Sequence, residues 1–85
     1  INMEVKFYHI QTYTCYCGET IDHFFKGTEK EMEQYAESCV EDDAMEWWDQ
    51  QSEEDFYDEY DAYLAECGYN VWEVSEEEYE KYKEF

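Results

Sequence analysis

Residues 4–31 read EVKFYHIQTYTCYCGETIDHFFKGTEKE, and the changes of pattern inside them decide the fold. The first ten, EVKFYHIQTY (4–13), are rich in β-branched and aromatic side chains in partial alternation, as a half-buried strand reads. CGE follows, a turn through Gly18, and TIDHFFK (20–26) resumes the strand pattern. TEKE (28–31) then breaks it. A Thr followed three residues later by Glu is a capping box: the hydroxyl accepts from an orphan amide and the acid bonds back. The chain leaves a hairpin and enters a helix near residue 29.

The same punctuation recurs as SEED at 52–55 and SEEE at 75–78, so three helices are expected, starting near 29, 53 and 76. Acids in each first turn also suit the positive end of the helix dipole. The first helix should bury Met32, Tyr35, Ala36, Cys39 and Val40 and approach Trp47, a helical spacing. Asp43 falls on that apolar stripe. A carboxylate is rarely buried unpaired, so either the helix bends or ends near EDDA (41–44), the favoured account being a bend, or Asp43 sits at the edge of a site. The second helix places Phe56, Tyr60, Tyr63, Leu64 and Cys67 on one face and stops at Gly68 as a C′ glycine. Its other face carries Glu54, Asp55, Asp58, Glu59, Asp61 and Glu66, all acidic. YNVWEV (69–74) reads as a third strand. The order β-β-α-α-β-α predicts an α+β domain: a small, mostly antiparallel sheet of about three strands, with acidic amphipathic helices packed on one face. Ile1 and Asn2 precede a Met that would serve as a start, so a single domain is taken to span 3–85.

Composition bounds the function. There are 25 acids and five Lys, no Arg, and a net charge of −20. Ile, Leu, Val and Phe make only 13 of 85 residues, a count that would suggest disorder at this charge. Ten Tyr and three Trp supply the missing buriable area, so an aromatic core is expected. Binding phosphates needs cations, and anionic lipid repels such a chain. Direct nucleic-acid and membrane partners are therefore excluded. No secretory segment or apolar run near 18 residues is present. The expectation is a cytoplasmic protein with free thiols at Cys15, Cys17, Cys39 and Cys67.

The charge is concentrated. Residues 41–66 hold twelve acids and six aromatic rings, and no Lys or Arg occurs from 31 to 80. A helix over 52–66 would be about 22 Å long and carry seven acids. A nucleic-acid strand carries a similar six or seven phosphates over that length, at about 3.4 Å each. A solubilising surface normally mixes signs and gains i,i+4 pairs, whereas a one-sign face costs stability. Trp47 and Trp48 are adjacent and cannot face one way on a helix. One of them, with Tyr57, is a candidate interface anchor able to stack on Arg side chains. The candidate partner-binding set is Asp42, Asp43, Glu46, Trp47, Trp48, Asp49, Glu54, Asp55, Tyr57, Asp58, Glu59 and Asp61. Metal binding is a weaker reading. DFYDEYDAYLAE (55–66) lacks the spacing and the Gly of an EF-hand loop, and Cys15, Cys17 and His23 offer only C-x-C with one scattered partner. No cofactor motif is present. Only His9 and His23 could act as neutral-pH bases, and a thiolate in this negative field is disfavoured, so an enzyme is not expected.

In size, charge and acidic-aromatic helices, the chain resembles the small acidic inhibitors of phages and mobile elements, the DNA-mimic antirestriction and anti-CRISPR proteins. No motif aligns, so no residue role is carried over. The resemblance implies a cytoplasmic inhibitor that occupies the basic nucleic-acid-binding groove of a host effector, such as a nuclease of a defence system. The alternatives are a cation- or metal-binding small domain and an acidic adaptor without mimicry.

Overall fold

A computed structural model describes residues 4–14, 19–50 and 60–83, and for 49 and 50 the backbone alone. The elements are β1 (Lys6–Thr14), β2 (Thr20–Gly27), α1 (Glu29–Gln50), α2 (Tyr60–Leu64), β3 (Cys67–Val74) and α3 (Glu76–Tyr82). This is the α+β order β-β-α-α-β-α read from the pattern. The sheet is antiparallel with β1 in the centre, in the order β2-β1-β3. Ile10 stands opposite His23 on one side and Val71 on the other, and His9 stands between Phe24 and Trp72.

Alternation along β1 sorts the sheet into two faces. Tyr8, Ile10, Thr12 and Thr14 are buried and meet α1. Phe7, His9, Gln11 and Tyr13 point to the other face. The local reading of α1 holds at its start: the Thr28 amide donates to Glu31 Oε1 at 2.9 Å, and the Glu31 amide donates to Thr28 Oγ1 at 3.2 Å. At α3, Ser75 caps by accepting from the Glu78 amide at 3.1 Å. SEED lies outside the described residues.

The core forms two clusters. Tyr8, Ile10, Met32 and Ala36 make one, with Phe25, Tyr35 and Tyr69 packed on it. Ala44, Trp47 and Tyr63 make the other, with Ile21, Trp48, Leu64 and Cys67 around it. Aromatic rings thus supply much of the buried area, as the shortage of aliphatics requires.

Three expectations are corrected. First, α1 does not end near residue 43. It runs unbroken for 22 residues, and Asp43 stays on its buried stripe because the sheet provides donors for it. Second, Gly68 is not a helix C′ residue. The chain turns at 65–66 and β3 begins at Cys67. Gly68 lies opposite Tyr13, where an added Cβ would come 2.6 Å from the Tyr13 hydroxyl, so the glycine makes room for that side chain. Third, the helices do not share one face. On α3, Tyr79 packs against Phe7 and Tyr82 against Phe24, with ring centroids 5.2 and 5.8 Å apart, on the face opposite α1.

Candidate functional site

The exposed side of α1 carries Glu29, Glu31, Glu33, Glu37, Glu41, Asp42 and Glu46, with Lys30 as its cation. The register explains this. The stripe at 32, 36, 39, 43, 44 and 47 is spent on the sheet, so every intervening polar position faces water. From Glu29 to Glu46 the helix rises about 26 Å. Its seven exposed acids give one carboxylate per roughly 4 Å, close to the phosphate spacing of a nucleic-acid strand, about 3.4 Å. The lysine ion pairs Lys6–Glu73 and Lys83–Glu80 lie away from this helix.

The acids of α1 and α2 converge at Tyr60. Its hydroxyl donates to the Glu41 carbonyl at 3.4 Å. Burial raises the phenol pKa, and the charges of Glu41, Asp61 and Asp42 raise it further. Glu33 and Glu37 act likewise on Tyr69, after burial. Between these helices and β3 runs a shallow cavity of about 280 Å³, lined by Glu37, Val40, Glu41, Leu64 and Tyr69 among others.

Of the sequence-selected residues, Asp42, Glu46 and Asp61 are exposed on this surface. Trp47 is 6% exposed and belongs to the core, leaving Trp48 as the half-buried member of the pair, packed on Tyr60 and Tyr63. The side chain of Asp49, together with Glu54, Asp55, Tyr57, Asp58 and Glu59, lies outside the described residues.

Asp43 is a correction to the same set, since it is 7% exposed and faces inward. Its Oδ2 accepts from Thr12 Oγ1 at 2.6 Å and pairs with His23 Nε2 at 2.7 Å. The three residues form a polar layer between the two apolar clusters. Nearby, Tyr35 stands edge-on to His23 and hydrogen-bonds Cys39. Burial pushes the Tyr35 phenol up to about 12, with the Cys39 bond adding to it, and burial also raises the Cys39 thiol. Tyr35 and Cys39 are thus both held in their protonated, neutral forms. The Thr12 hydroxyl donates to the carboxylate rather than to the imidazole, and is also 3.3 Å from the Ile21 carbonyl. Cys15 and Cys17 lie outside the described residues, and His23 is taken up by Asp43. Among the described residues no group of three His, Cys, Asp or Glu side chains is placed to hold a metal, and no helix is long and apolar enough to cross a membrane.

The opposite face of the sheet holds a feature that periodicity did not single out. Phe24, His9 and Trp72 stand side by side across the three strands. His9 stacks on Phe24 at 4.7 Å and 7°, and tilts against Trp72 at 5.1 Å. Trp72 is 47% exposed. The alternation of YNVWEV did carry the signal, because it sets Trp72 and Val71 on opposite faces of β3. Comparison of the chain with protein-family models, curated proteins and solved structures returned no match.

Proposed function

We propose that this chain is a non-enzymatic acidic binding protein that docks in the basic, nucleic-acid-binding groove of an effector protein and inhibits it by standing in for phosphates. The observation that carries the reading is the exposed row of α1, seven carboxylates against one lysine. Asp61 of α2 adds to it, since its charge acts on Tyr60 together with those of Glu41 and Asp42, and the axial spacing of the α1 acids is close to that of a phosphate strand. Such a field steers a cationic partner to rapid encounter and weakens with salt. The 22-residue helix holds the charges at set positions along both flanks of its exposed side, which a disordered acidic tail would not. The half-buried ring of Trp48, beside Tyr60, offers an apolar contact next to the charge.

The test is capture of partners from host lysate at low and high salt, with competing DNA or RNA. The expected result is a basic nucleic-acid-binding protein, released by salt and displaced by nucleic acid. The triple variant Glu37→Lys, Glu41→Lys, Asp42→Lys should capture it at least about tenfold less well while circular dichroism is unchanged. Undiminished capture by that variant would remove the mimicry reading.

A further inference from the structure

The outer face of the sheet, away from α1, contains an open cavity of about 460 Å³ lined by His9, Asp22, Phe24, Glu78 and Tyr82. Its walls are of two kinds. Phe24 and Tyr82 lie nearly parallel, at 5.8 Å and 25°, and Phe24 also stacks on His9. Asp22 and Glu78 contribute carboxylates. Asp22 is held in place: His9 Nε2 approaches Asp22 Oδ1 at 2.8 Å, and Gln11 Nε2 donates to the same oxygen at 3.2 Å. The Asp22 side chain is nonetheless 54% exposed, and a carboxylate has about four acceptor sites. It therefore keeps capacity for a further donor.

The face already attracts cations. Lys26 stands 5.7 Å from the Phe7 ring, Lys81 5.1 Å from Tyr82 and Lys83 5.7 Å from Tyr79. Three of the chain's five lysines thus use rings of this face. A second copy of the chain is a poor occupant, because each copy carries −20 and like charges repel across an interface. A cation is favoured by the carboxylates, and a planar one by the stacked rings. The guanidinium group meets both demands, since it stacks on aromatic faces and forks onto a carboxylate, which an ammonium group does not.

We infer that this groove binds an arginine side chain of a basic peptide segment, with the guanidinium against the Phe24–Tyr82 rings and directed to Asp22 and Glu78, and Trp72 covering the flanking residue. The site lies on the face opposite α1 and does not depend on the phosphate-mimic reading. An arginine-bearing peptide would dock here whether or not α1 engages a basic groove.

The experiment is a titration of the ¹⁵N-labelled protein with three short peptides that differ at one position: arginine, lysine, or citrulline, the neutral isostere of arginine. The expected result is shifts at the Trp72 indole N–H and at residues 9, 22 and 24. The arginine peptide should bind at least about fivefold more tightly than the lysine peptide, and the citrulline peptide should not saturate. Asp22→Asn with Glu78→Gln keeps the shape and should lower arginine affinity about tenfold; Phe24→Leu should remove the preference for arginine over lysine. Equal binding of arginine and citrulline, or shifts confined to α1, would overturn the inference. Shifts confined to α1 would leave the reading of that helix standing.

Discussion

The two faces of one three-stranded sheet are finished in opposite ways. The inner face is closed by a 22-residue helix and carries both apolar clusters, with a satisfied carboxylate between them. The outer face is crossed by a seven-residue helix and leaves a row of rings beside water. β1 builds both, because successive residues alternate between them: Ile10 is fully buried, while its neighbour His9 lines an open groove. The inner face shows what stability needs from a chain short of aliphatics, namely rings, one long helix and a buried carboxylate matched by Thr12 and His23. The outer face shows rings beyond that need, set beside carboxylates. Exposed aromatic area next to charge is a common composition for a binding surface.

Substituting one tryptophan on each face puts this contrast under the greatest strain. Trp47→Ala empties part of the inner core and should cost about 3–5 kcal/mol. Trp72→Ala should cost about 1 kcal/mol or less. Urea denaturation of the two variants checks the difference, and comparable losses would mean that the outer row is core as well.

Next in size is the polar layer. Asp43→Ala takes the partner from the His23 ring and leaves the Thr12 hydroxyl only its longer bond to the Ile21 carbonyl, 3.3 Å, and should cost about 2–3 kcal/mol. Asp43→Asn keeps an acceptor oxygen and should recover part of the loss, again by urea denaturation. A neutral Asp43→Ala would mean that the carboxylate contributes nothing to closing the inner face.

The smallest effect belongs to Asp22 on the outer face. The hydrogen bond from His9 is the main reason its carboxyl is held below the usual range, with a further contribution from Gln11. A depressed folded pKa adds stability above the ordinary Asp value of about 4, and that stability is lost as the pH falls through the lower folded value. Asp22 is more than half exposed, so the contribution at pH 7 is below about 1 kcal/mol. Asp22→Asn should therefore be slightly less stable than the parent at pH 7, and the gap should narrow as the pH falls below the ordinary Asp range. A gap that persisted in acid would assign the effect to packing rather than to charge.

Much of this architecture could be read from neighbours in the chain. Thr28 and Glu31 cap each other because they are three residues apart, and the strands of β1 and β2 follow from side chains that alternate over a few positions. The exposure of Asp42 and Glu46 on α1 was legible for the same reason, since exposed and buried residues separate with helical period. Asp43 was misread because its partners, Thr12 and His23, lie 31 and 20 residues away, and no local pattern announces them. Trp72 was missed because a strand's period assigns its side chain to a face without saying whether that face will be covered.

The amino-acid sequence by itself determined the element order, the starts of the first and third helices and the sign and density of the charge, all of which depend on residues within about four positions of one another. Only the tertiary structure decided that α1 could continue past a buried carboxylate, that α3 would fold to the far side of the sheet, and that His9, Asp22, Phe24 and Tyr82 would share one groove. These outcomes depend on which faces meet, and strand pairing and packing set that between residues far apart in the chain.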